Sequence, residues 1–85
     1  MLSNPELRIG FIGAGQMATA LARGFVRANV IGSDRIIACD VNPETAKKFV
    51  TETGASIAPN ISAIAEKSTL VFLAVKPQHM TAVLD

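Results

Sequence analysis

The chain has 85 residues, 49% of them hydrophobic and 18% charged, with a formal net charge of +1. That length allows one domain or part of one, and the apolar content excludes a disordered chain. The balanced charge, without a block of one sign, and the lack of Trp and Tyr argue against a nucleic-acid surface or a polybasic membrane patch.

Residues 7–12 (LRIGFI) read as a short strand, apolar but for Arg8 and so suited to burial on both faces of a parallel sheet. From residue 16 to 28 the period becomes helical. Met17, Leu21 and Phe25 recur at i, i+4 and i+8 beside Ala18 and Ala22, which predicts their packing against the sheet, and Asn29 suits the helix end. Residues 35–39 (RIIAC) predict a second buried strand. Asn42-Pro43-Glu44 then opens a helix, with a capping side chain, a preset φ and an acid in the first turn. Ala46, Phe49 and Val50 form the apolar face of that helix and Gly54 its stop. A short third strand is expected over 55–58, and a brief helix capped by Asn60 or Ser62 runs to about Lys67. Residues 69–75 (TLVFLAV) form the clearest strand, ended by Lys76-Pro77, and 78–85 begin another helix.

The order β-α-β-α-β-α-β predicts an α/β fold with a parallel sheet, of Rossmann type, in the strand order 3-2-1-4. The apolar run at 70–75 is far too short to span a bilayer, and the first residues lack the pattern of a signal peptide. The single Cys39 cannot form an internal disulfide, which points to a reducing, cytoplasmic setting.

Gly13-Ala14-Gly15-Gln16-Met17-Ala18 fits G-x-G-x-x-G/A between a strand and a helix. Gly13 allows the tight turn, Gly15 lets a pyrophosphate approach the backbone, and Ala18 keeps helix and strand close. The N–H groups at the helix start then face an anion, aided by the helix dipole. No G-K-[ST] follows, so a P-loop is excluded. Asp40 ends the second strand about 20 residues on, the spacing of an acid that meets an adenosine ribose and repels a 2′-phosphate. The alternative is a strand-end acid that caps its own turn. Lys76 lies on the rim where α/β sheets bind ligands, and from position alone a solvated turn lysine is an equal reading. Cys39 reads as a core residue, Met17 and Met80 as packing residues, and the lone His79 offers no metal site.

Several stretches resemble the N-terminal part of the pyrroline-5-carboxylate reductase family. They are GFIGAGQMATAL (10–21), NVI leading into RIIA, APN (58–60) and, most specifically, VFLAVKPQ (71–78). The resemblance implies hydride transfer from NADPH or NADH to the imine of pyrroline-5-carboxylate, giving proline. It places the cofactor on Ile12, Gly13, Ala14, Gly15, Gln16 and Met17. Asp40 and Asn60 then meet the adenosine end, and Ala74, Val75, Lys76 and Pro77 the nicotinamide side. Many members carry a small polar residue at position 40, or an Arg after an acid. Asp40-Val41 departs from both, which favours NADH. The resemblance further implies a homo-oligomer acting on a small-molecule substrate. It places the substrate and dimer surfaces in a helical C-terminal domain beyond these residues, so residues 1–85 are expected to be an NAD(P)-binding fragment, inactive alone and prone to self-association along the fourth strand. Other β-hydroxyacid-dehydrogenase-like or F420-linked reductases share the glycine opening but usually lack AVKPQ. A stand-alone dinucleotide-binding module without chemistry is a further alternative.

Overall fold

The computed structural model describes residues 6–74. Along them run β1 (Ile9–Ile12), α1 (Gln16–Arg27), a 3₁₀ turn (Ser33–Arg35), β2 (Ile36–Cys39), α2 (Pro43–Thr53), β3 (Ser56–Ile57), α3 (Ile61–Lys67) and β4 (Leu70–Leu73). The strands pair in parallel in the order β3-β2-β1-β4, the Rossmann-type arrangement expected from the alternation. The expected helix over 78–85 and the end of the fourth strand lie outside the described residues.

Side-chain alternation along the strands sorts the core into two layers. Ile9, Phe11, Ile36 and Ala38 join Ala18, Ala22 and Phe49 on the face covered by α1 and α2. Cys39 joins Ala58 and Ile64 on the face covered by α3, with Ile12 and Ile37 packed alongside. Phe11 is the hub of the first layer. Its ring stacks on Phe72 at 5.4 Å between centroids and meets Phe49 edge-on at 6.1 Å. Such pairs each add about 0.5–1.5 kcal/mol beyond the burial of their area.

The helix ends follow their chemistry. Asn42 caps α2 by accepting from the Glu44 and Thr45 N–H groups, and Gly54 ends it at φ 77°. Asn60, not Ser62, caps α3, accepting from Ala63 N–H at 2.8 Å. Asn29 leaves α1 at φ 60°. Its N–H donates to Val26 O and that of Val30 to Phe25 O, the two bonds of a Schellman stop.

Two side chains depart from the expected packing. Met17 is 54% exposed, and α1 instead buries Ala18 and Ala22. These small side chains bring the helix close to the sheet, and Leu21 and Phe25 pack at the flank. Val50 is also exposed, leaving Ala46 and Phe49 as the buried face of α2. The strands are shorter than the apolar runs suggest. At the start of the β1–β4 pair the Thr69 hydroxyl accepts from Arg8 N–H and donates to Arg8 O, beside backbone bonds from Thr69 and Leu70 N–H to the same carbonyl.

Candidate functional site at the carboxyl edge of the sheet

In register, Ile12 stands level with Cys39 on one side and Leu73 on the other. The chain therefore leaves all three strands at one edge, as Gly13, Asp40 and Ala74. Two bonds hold these exits together: Gly13 N–H donates to Cys39 O and Ala74 N–H to Ile12 O, each at 2.8 Å. β1 lies between β2 and β4, so the topology switches direction at its carboxyl end, where open α/β sheets form their ligand crevice.

The glycine turn sits at that switch point. Gly13 has φ 106°, a conformation that a residue with a Cβ rarely adopts. Gly15 is extended, at φ −77° and ψ −159°, and forms the N-cap of α1. It supplies no capping side chain, and the first turn of α1 holds no acid. Its chain neighbours apart, no atom lies within 4 Å of the place a Cβ on Gly15 would take. The turn thus presents an open backbone at the positive end of a 12-residue helix, with the amides of that end unsatisfied by a cap.

Asp40 is tied to this turn. Its Oδ2 accepts from Ala14 N–H and its Oδ1 from Asn42 N–H, both at 2.8 Å. The acid is therefore a local cap, as the alternative reading allowed, and it also bridges two loops. An ionised carboxylate offers about four acceptor positions, so two amides leave capacity for ribose hydroxyls. Val41 beside it is 99% exposed and brings no cation. Asn60 lies at the same edge beyond β3, its Oδ1 engaged by the cap of α3.

Cys39 is a buried free thiol at the end of β2. Burial pushes its pKa up, the Gly13 backbone hydrogen bond pulls it down, and the negative charge of Asp40 raises it. A thiol held protonated in this way is a packing group and not a nucleophile. Among the described residues no group of three or more His, Cys, Asp or Glu could hold a metal ion. No described helix is long and apolar enough to cross a membrane.

The structure thus brings Ile12, Gly13, Ala14, Gly15, Gln16, Met17, Asp40 and Ala74 to one edge, with Asn60 further along it. Val75, Lys76 and Pro77 lie outside the described residues. Two features escape sequence reasoning. One is the bond between Asp40 and Ala14, which depends on loop placement. The other is a cleft of about 360 Å³ between α1 and α2, lined by Ala14, Gly15 and Gln16 together with Arg23, Lys48 and Glu52. Glu52 lies 3.8 Å from Arg23 and 3.7 Å from Lys48. These are exposed pairs of the kind that add little to stability. The Arg23, Lys48 and Glu52 spacing gives no sequence signal until the two helices are set side by side.

The open backbone over Gly15, the glycine-specific turn at Gly13 and the carboxylate at the end of β2 fit the diphosphate and ribose of a dinucleotide. Fold and edge define the chain as a Rossmann-type domain. It belongs to the family described as NADP oxidoreductase coenzyme F420-dependent, whose model matches residues 8–85. It is similar to pyrroline-5-carboxylate reductase from Treponema pallidum, 35% identical over 78 residues that make up 92% of this chain and 30% of that protein. The enzyme of the same name from Methanosarcina acetivorans is 36% identical, over 92% of this chain and 29% of its own length. Human pyrroline-5-carboxylate reductase 2 is 38% identical, over 93% and 25%. The chain therefore spans between a quarter and a third of the length of these relatives.

Proposed function

We propose that the chain is the NAD(P)H-binding part of a pyrroline-5-carboxylate reductase, serving the reduction of 1-pyrroline-5-carboxylate to L-proline. The observation that carries this is the open backbone at Gly15, set at the switch point of a chain 35–38% identical to enzymes of that name. When bound, the reduced nicotinamide would supply a hydride to the imine carbon and be oxidised, while the pyrroline nitrogen takes up a proton. The residues of the chain bind and orient. Ile12 to Met17 form the diphosphate seat, with the amides at the start of α1 directed at the anion. Asp40 and Asn60 hold the adenosine end, and Ala74, Val75, Lys76 and Pro77 flank the nicotinamide. The carboxylate of Asp40, without a cation at Val41, disfavours a 2′-phosphate and favours NADH.

Turnover needs the imine held against the donor, and the site assigned here seats the donor alone, so the isolated chain binds cofactor without catalysis. The whole enzyme is read as a cytoplasmic homo-oligomer. The family description also allows an F420-linked reductase. The AVKPQ stretch after the fourth strand favours the imine reductase.

Calorimetric titration with NADH and NADPH in parallel, alongside Asp40→Ser, tests the reading. The expected result is tighter NADH binding and a shift of the NADH/NADPH ratio toward NADPH in the variant. Failure of both cofactors to bind at millimolar concentration overturns it.

A further inference from the structure

We infer that Asp40 is a positioning residue for the glycine turn, acting before any ribose is present. Resting on the dinucleotide reading of this edge, the inference deepens it by giving the acid a second task. Gly13 N–H donates to the backbone carbonyl of Cys39, the last rung of the β1–β2 ladder. In a continuing strand the next N–H, that of Ala14, would point toward β4, but the turn at Gly13 redirects it. It donates instead to Asp40 Oδ2. The side chain thus ties the turn to the exit of β2, across a separation of 26 residues.

The other oxygen is fixed as well. Asp40 Oδ1 accepts from Asn42 N–H, and Asn42 Oδ1 in turn accepts from the first turn of α2. One carboxylate therefore staples the β1–α1 turn to the β2–α2 turn, anchored on a capped helix. It holds Ala14 in place between Gly13, at its positive φ, and the open Gly15. The amides left for a diphosphate are then those beginning at Gly15, and their direction depends on the staple. A hydrogen bond to an ionised acceptor is strong enough for this, worth more than a neutral one.

The two tasks of Asp40 separate in experiment. Asp40→Ala and Asp40→Asn are compared with the unmodified chain by amide hydrogen exchange without ligand, and by titration with ADP and 2′,3′-dideoxy-ADP. The staple predicts that Asp40→Ala speeds exchange at Ala14 by roughly tenfold or more, while Phe11 and Ala38 in the sheet keep their protection. Asp40→Asn, which retains one acceptor oxygen, falls between. The staple also predicts that the dideoxy ligand loses affinity in Asp40→Ala, and that ADP loses at least as much, by that factor and by the part its ribose hydroxyls contribute. Unchanged exchange at Ala14 in both variants overturns the inference. So does a loss confined to ADP, because Asp40 then acts only through ribose hydroxyls. If the unmodified chain binds neither NADH nor ADP, the dinucleotide reading fails, and the exchange data alone decide whether Asp40 holds the turn.

Discussion

Gly10 lies directly against Ser68: a methyl group on Gly10 would overlap the Ser68 hydroxyl and come within 2.7 Å of Ile64 Cγ2. The closeness at this first glycine of the GFIGAG stretch is therefore to the end of α3, and a ligand has no part in it. Ile64 is fully buried and branched, so it has little room to give. Gly10→Ala should destabilise the chain by about 1–3 kcal/mol, read from urea unfolding at constant slope. Ser68 Oγ is itself buried without a hydrogen-bond partner. Ser68→Ala should be neutral, or stabilising by about 1 kcal/mol, since it removes a desolvated hydroxyl. The two substitutions together should cost less than their sum, because the first no longer meets the hydroxyl.

Gly13 and Gly15 should part in the opposite way. Gly13→Ala places a Cβ on a backbone at φ 106° and should cost about 1–3 kcal/mol of stability. Gly15→Ala meets open space at an ordinary φ, so stability should stay within about 1 kcal/mol of the parent. Its methyl group would stand where a diphosphate approaches, and NADH affinity should fall by roughly tenfold or more. Thermal unfolding and calorimetry on the same sample distinguish the two effects. A Gly15→Ala chain that binds NADH as tightly as the parent would contradict the seat.

The contrast among the three glycines shows what the sequence could disclose. The turn at Gly13 and the open backbone at Gly15 follow from local chemistry, because motif and helix start are adjacent in the chain. The same holds for the caps at Asn42, Asn60 and Asn29 and for the stop at Gly54, each set by neighbours within a few residues. Gly10 was unreadable because its partners, Ser68 and Ile64, come from the far end of the chain. Met17 and Val50 were misplaced for a related reason. Periodicity finds a helical face, but the width of the buried stripe is set by how closely the helix approaches the sheet. For Asp40, spacing located the acid at the site, while its bond to Ala14 arises only when two loops meet.

Asn42 joins the cap of α2 to the Asp40 turn. Asn42→Ala removes the acceptor for Glu44 and Thr45 N–H but leaves the Asn42 N–H that bonds Asp40. Stability should fall by about 1 kcal/mol. NADH affinity should change less than twofold, because the staple survives. A large loss of affinity would show that the α2 cap and the diphosphate seat are coupled.

The Cys39 thiol makes stability depend on alkaline pH. Its folded pKa is raised above the ordinary 9.0, chiefly by burial, so the fold favours the protonated form. The resulting stability is fully present below the unfolded pKa and is lost as pH rises from there through the folded value. Urea midpoints should fall more steeply above about pH 9 for the parent chain than for Cys39→Ala. At neutral pH the native thiol should react with iodoacetamide far more slowly than in the unfolded chain.

Among the described strands β4 forms one edge of the sheet, with Leu70 and Val71 exposed at 45% and 42%. An apolar edge of this kind pairs readily with another chain. Sedimentation should show association that grows with concentration and weakens in Val71→Lys. A monomer at all concentrations would remove the edge as a contact.

The staple between Ala14 and Asp40 and the pairing of β1 with β4 both join parts of the chain that are far apart, across 26 residues in the first case and 61 where Arg8 meets Thr69. No short peptide cut from the glycine stretch can hold its amides in this arrangement, and neither can a folding intermediate that lacks β2. An anion seat at Gly15 would therefore need both long-range pairings in place. A ligand that occupies it discriminates completely between native and unfolded chain, and its binding free energy adds to the stability of the whole domain. In a domain this small, where stability is a few kcal/mol, saturating cofactor would raise the unfolding temperature markedly. A bound nucleotide would then decide how much of the chain is folded at all.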